Sequence, residues 1–136
     1  MLEKRDFYIN GKWVKPSKSN DFEVINPSNE EAFAIISLGS KEDTDAAVKS
    51  AKNAFINWRE TSKEERINLL EKLLKVYKKR FNEMAEAMSL EMGSPIDFAI
   101  STHAASGQSH LEDFILRLKE FKFEKYFDSK SNNYIA

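Results

Sequence analysis

The side chains able to do chemistry in this sequence are few, and several fall in one stretch. His103 and His110 are the only histidines, seven residues apart. On a helix they share a face, but two turns place them about 10 Å apart along the axis, too far for one metal ion bonded to each at about 2 Å. Ser106, His110 and Asp113 follow at i, i+4 and i+7 and imitate the residue set of a hydrolytic triad. A helix interior leaves no free backbone N–H groups beside the serine to hold an oxyanion, and it does not raise the nucleophile on a tight turn. The trio is therefore read as an exposed polar face.

The acidic pairs Glu30-Glu31 and Glu64-Glu65 could serve general acid and base catalysis. One pair precedes a strand pattern and the other opens a helix pattern, where negative charge is stabilising without any catalytic duty. Lys78-Lys79-Arg80 is the longest cationic cluster. It lies inside a helical pattern and is interrupted at once by Phe81 and Glu83, which reads as a solvated face, not a phosphate patch. The four glycines stand at 11, 39, 93 and 107, with nothing resembling GxGxxG or GxxxxGK between them, so no nucleotide loop is expected. Cysteine is absent, which removes disulfides, thiolate metal ligands and any thiol nucleophile. No catalytic, cofactor-binding or metal-ligating residue is assigned.

The elements that would carry these residues follow from the patterning. "FYINGKWV" at 7 to 14 places strand formers on both sides of Asn10-Gly11, a dipeptide suited to a tight hairpin turn. A second strand is expected around Phe22, Val24 and Ile25, stopped by Asn26-Pro27, and a third over 32 to 38, "AFAIISL". From Ser40 the period changes to 3.6. Ser40 with Asp43 can cap a helix over about 41 to 57 whose apolar face is Ala47, Val48, Ala51, Ala54, Phe55 and Trp58.

Thr61 with Glu64, or Ser62 with Glu65, offers the same cap for a second helix bearing Ile67, Leu70, Leu73, Leu74 and Tyr77. Its stripe runs on through Phe81, Met84, Ala85 and Met88, with a break expected near Asn82, to a left-handed cap at Gly93. Ser94 as N-cap and Pro95 as first helical residue then start a last helix over about 95 to 120. Its middle, "STHAASGQS", is small enough for another backbone to lie against it. Phe123 to Ala136 reads as a tail whose final Tyr134-Ile135-Ala136 opens an unfinished strand.

Composition bounds the rest. The 136 residues are 41% hydrophobic, enough for one domain with a core. With 21 basic and 22 acidic residues, no global field recommends nucleic acid or an anionic membrane. No apolar run approaches the roughly 20 residues that span a bilayer, and the N-terminus has no apolar signal core, so a cytoplasmic protein is expected. The fold class is α+β and mostly α: short strands in 7–38, three to four amphipathic helices in 41–121, and a tail over 122–136, taken together as a single incomplete domain.

Five segments in order resemble one family. "YINGKWV" at 8 to 14, "FEVINPSNEE" at 22 to 31, "SKEDTDAAVKSAKNAFINW" at 40 to 58, "SKEERINLLEKL" at 62 to 73 and "LEMGSPI" at 90 to 96 are similar, in sequence and spacing, to the start of NAD(P)-dependent aldehyde dehydrogenases. The resemblance implies an incomplete piece of a three-domain α/β subunit that oxidises an aldehyde to a carboxylate. There a cysteine thiolate attacks the carbonyl, hydride leaves to NAD or NADP, and a glutamate-activated water releases the thioester. Those groups, and the asparagine of a Pro-Trp-Asn motif that holds the oxyanion, lie further along the family's chain, so none is carried over.

The likeness also implies that the last helix borders the mouth of the substrate tunnel, with His110 to Leu118 shaping aldehyde entry. Ungapped counting from Gly93 puts His103 where some members keep an aspartate that helps hold a structural monovalent cation, which leaves that cation unsupported here. The chain is expected to be an N-terminal segment, a truncated product or one piece of a split enzyme, inactive alone and binding no cofactor. Its expected partner is the rest of the subunit or a second copy, with no nucleic acid, membrane or metal. The alternative is a non-catalytic helical binding or assembly module derived from the same family.

Overall fold

The computed structural model describes residues 1–124 in full and two later strands by their backbone. Strands β1 (Leu2–Lys4), β2 (Phe7–Ile9), β3 (Lys12–Val14), β4 (Asp21–Asn26) and β5 (Glu31–Ser37) come first. Helices α1 (Lys41–Trp58), α2 (Lys63–Lys79) and α3 (Phe81–Met92) follow. A last continuous helix begins as the short turn α4 (Ile96–Phe98), is wound as a π-helix over Ala99–Ala104, and ends as α5 (Ala105–Glu120). Strands β6 (Tyr126–Ser129) and β7 (Asn132–Ile135) come last.

β2 and β3 form the expected hairpin. Asn10 and Gly11 both take positive φ, 54° and 74°, as the tight turn demands, and Phe7 pairs with Val14. β5 lies between β4, antiparallel, and β1, parallel. β1 was not expected, because its "LEK" is exposed at every position and shows no alternation; only pairing with β5 makes it a strand. The turn from β4 to β5 is held by Asn26, whose side chain accepts from the Ser28 amide and whose carbonyl accepts from Glu30. Glu30 itself sits at φ 60°.

α1 and α2 each start with a complete capping box, Ser40 with Asp43 and Ser62 with Glu65. Thr61 has another use: its hydroxyl donates to the Trp58 carbonyl. The break between α2 and α3 falls at Arg80, not through an Asn82 cap, and no side chain caps it. Gly93 ends α3 in the left-handed conformation as expected, φ 68°. Pro95, with extended ψ of 139°, is itself the cap residue of α4, so Ser94 is displaced from that role. The Ser94 hydroxyl is buried without a hydrogen-bond partner.

β6 pairs antiparallel with β7, so two paired strands lie where a tail and the start of one unfinished strand were expected. Ala136 lies outside the described residues.

The expected core is thin. Ala85, Ala99 and Ala104 have no exposed surface and join α3 to the π segment, flanked by Phe81 and Met88. Beyond them only Ala34, Ile115 and Ser37 are buried among the described residues. The apolar face expected on α1 exists, but Val48, Phe55 and Trp58 are all exposed. Nothing in α1 is buried.

Candidate functional site

The residues singled out for chemistry do not assemble. The Ser106 hydroxyl donates to the Thr102 carbonyl at 2.7 Å and Asp113 accepts from Arg117, so the trio with His110 is not hydrogen-bonded together. His103 packs edge-on against Phe98, centroids 5.0 Å apart. Glu65 is spent on its capping box, and Glu31 accepts from the Asn29 amide. Lys78 and Arg80 pair with Glu112 and Glu83. No group of three or more His, Asp or Glu side chains with metal-binding geometry occurs among the described residues.

What the fold does build is an apolar cleft of about 560 Å3 between the end of α1, the first turns of α2 and the second half of α5. Trp58, Leu69, Leu70, Phe114, Leu118 and Phe123 line it, with Arg66 and Arg117 at its edge. Arg66 organises this corner. Its Nε donates to the Thr61 hydroxyl at 2.8 Å, and its Nη2 reaches the carbonyls of Trp58 and Arg59. Its guanidinium lies 5.5 Å from the ring centres of both Trp58 and Phe123, within cation–π range. The single residue thus ties the α1–α2 turn to the segment after α5. Sequence reasoning missed it, because a lone arginine one turn inside a helix carries no local mark of a partner eight residues back or beyond the next two helices.

α2 and α5 are held together beside the cleft by contacts along their exposed edges. Lys78 meets Glu112 at 2.7 Å, Lys119 meets Glu71 at 2.9 Å, and Lys63 donates to the Lys119 carbonyl. The Lys78 ammonium lowers the Glu112 pKa below its ordinary value. Tyr77 of α2 donates its hydroxyl to the Ala104 carbonyl at 2.9 Å. The small stretch does lie against neighbours: Ala104 meets α3, and Gly107 meets the Tyr77 ring.

The N-termini of α1 and α2 already hold carboxylates. At α1 the Asp43 carboxylate already accepts from the Ser40 and Ser17 amides, which lower its pKa, and at α2 Glu65 does the same with Ser62. A dinucleotide's pyrophosphate would meet a carboxylate at either end.

The described residues thus form a β2–β3 hairpin, a three-stranded sheet and a set of helices with much exposed apolar surface. The family model for the aldehyde dehydrogenase family matches residues 13–135. A 3-succinoylsemialdehyde-pyridine dehydrogenase from a Pseudomonas species is 38% identical over 126 residues, covering 92% of this chain and 26% of its own length. An aldehyde dehydrogenase structure from Bartonella henselae superposes with a TM-score of 0.92 at 49% identity, covering 97% of this chain and 28% of that one. The aldehyde dehydrogenase AldC of Pseudomonas syringae, solved with NAD+ and octanal, gives a TM-score of 0.88 at 32% identity over 91% of this chain and 26% of its own. The chain belongs to the aldehyde dehydrogenase family. Within it, the chain matches the N-terminal part of the subunit and spans about a quarter of the length of the relatives it matches.

Proposed function

We propose that this chain serves as the outer N-terminal part of an aldehyde dehydrogenase subunit, supplying scaffold and not catalytic groups. One observation carries the reading: the chain leaves uncovered the apolar surface that a subunit would bury. Its accessible surface is 10992 Å2 at 15.7 kDa, whereas a compact monomer of that mass exposes about 7,300 Å2. The excess, roughly 3,700 Å2 on this side alone, is at least one partner's share of an obligate interface. Among the exposed large apolar side chains are Phe55 and Trp58 of α1, Phe114 and Leu116 of α5, and Phe121 just after it.

In this reading the remaining three quarters of a subunit cover those faces and bring the nucleophile, the base and the nicotinamide site, NAD or NADP. The resemblance that places the last helix at the aldehyde entrance gives Phe114 and Leu118 an apolar role there. No helix of the described residues is long and apolar enough to cross a membrane, and a cytoplasmic setting is proposed. Self-association of the isolated chain through the same faces is proposed as the substitute when the rest of the subunit is absent.

The test is complementation. This chain is co-expressed with the Bartonella henselae enzyme from which the matching segment has been removed. A soluble complex that reduces a nicotinamide with an added aldehyde is expected, while each part alone gives none. Turnover by this chain alone, or failure to bind the remainder under conditions where the relative's own segment binds, overturns the proposal.

A further inference from the structure

The last helix changes its winding, and the buried positions show what the change does. Ala99 and Ala104 are both fully buried, five residues apart, and both belong to the cluster with Ala85 of α3. Five residues of regular α-helix turn by about 500°, which would put their side chains about 140° apart. The π winding over Ala99–Ala104 brings them to one face. Beyond Ala104 the sheltered positions Gly107, Leu111, Ile115 and Leu118 step by three or four, as in an ordinary α-helix. One surplus residue among the outward-facing Ile100, Ser101 and Thr102 is thus absorbed without rotating either half.

Two hydroxyls close the junction. Ser106 donates to the Thr102 carbonyl at 2.7 Å, and Tyr77, reaching across from α2, donates to the Ala104 carbonyl at 2.9 Å. Gly107 makes room for the second: a Cβ there would stand 2.9 Å from Tyr77 Cζ and nearer still to the hydroxyl oxygen. We infer that Tyr77 and Gly107 form a latch that holds this helix in its π register. Were the surplus residue to slide through α5 to its end, every position it passed would turn by about 100°. Phe114 and Leu118 would then leave the cleft they line. Tyr77 is accordingly a positioning residue for that face. That the face borders an aldehyde entrance rests on the function proposed above; the latch does not.

Hydrogen exchange read by mass spectrometry on this chain tests it, peptide by peptide in one spectrum, whether the protein is a monomer or associates. Tyr77→Phe removes only the hydroxyl. About tenfold faster exchange is expected over residues 99–108, with α1 unchanged as internal reference. No change, or equal acceleration in both regions, overturns the latch. Deleting Ser101 removes the surplus residue and leaves Tyr77 and Gly107 in register, so protection of α5 is expected to persist. Deleting Ser109, exposed on the same helix, shifts Leu111, Ile115 and Leu118 off the sheltered face and is expected to abolish it. Equal damage from the two deletions overturns the register argument. Failure of the complementation experiment would leave these ratios untouched, so the two readings fail separately.

Discussion

Ser40 and Asp43 show how much one cap holds in this molecule. The Ser40 side chain accepts from the Asp43 amide, the Asp43 carboxylate accepts from the Ser40 and Ser17 amides, and the Ser17 and Ser40 hydroxyls lie 2.8 Å apart. The box therefore ties the loop before β4 to the start of α1. Ser40→Ala is expected to cost about 1 kcal/mol in denaturant titration, the usual value of a lost N-cap. These amides stabilise the charged carboxylate, so Asp43 has its folded pKa lowered. Its contribution is complete above the ordinary aspartate pKa and is lost as pH falls through the folded value. Asp43→Asn is expected to flatten the acid limb of a melting-temperature profile in that window and to leave no change in slope near neutrality. Gly93 supplies a second case. It combines a φ of 68° with close approach, for a Cβ would lie 3.1 Å from Pro27 Cβ and 3.2 Å from the Ser28 amide nitrogen. Gly93→Ala is expected to cost roughly 1–2 kcal/mol by the same titration, the strain of a left-handed residue with a side chain. Both features were legible in the sequence, since capping and left-handed turns are local chemistry.

At the scale of elements, legibility depended on whether neighbours in sequence or in space decide the outcome. The β2–β3 hairpin, β4, β5, α1 and α2 follow from turn residues, alternation and caps, and the structure places them within a residue or two of expectation. β1 was hidden because its strand character comes wholly from β5. The π segment was hidden because a surplus residue erases the 3.6 period on which helix reading depends, leaving "STHAASGQS" merely small and polar. The Arg66 corner needed the α1–α2 turn and the residues after α5 to be placed first. Apolar stripes, moreover, tell which face of a helix wants cover and not whether the same chain provides it. Ile115 of α5 is 6% exposed, whereas Phe55 of α1 is 57% exposed. Ile115→Ala is therefore expected to destabilise the isolated chain by about 2 kcal/mol or more. Phe55→Ser, by contrast, is expected to leave its denaturation midpoint within about 0.5 kcal/mol of the parent. The order should reverse in the complementation complex, where loss of Phe55 is expected to weaken assembly with the remainder of a subunit. A large cost of Phe55→Ser to the isolated chain would mean that α1 is already covered.

For the whole molecule, the exposed apolar surface becomes a calorimetric quantity. An unfolded chain of 15.7 kDa exposes about 22,800 Å2. Folding to 10992 Å2 therefore buries only about three quarters of the surface that a compact monomer of this size would bury. The heat-capacity change on unfolding follows buried surface, and an ordinary 136-residue domain shows roughly 1.6–2.0 kcal/mol/K. For this chain as an isolated monomer, scanning calorimetry is expected to give roughly 1.2–1.5 kcal/mol/K, with a proportionately shallow denaturant dependence. An environment-sensitive apolar dye should bind the native state, because the cleft and the α1 face are open before any unfolding occurs. Adding the remainder of a related subunit should displace the dye and raise the heat-capacity change of the complex beyond the sum of its parts, since new apolar surface is buried on association. A cooperative monomer with the full heat-capacity change and no dye binding would show that these faces are closed by the chain itself. The scaffold role would then lose its physical motive, because a surface already buried has nothing left to offer the rest of an aldehyde dehydrogenase.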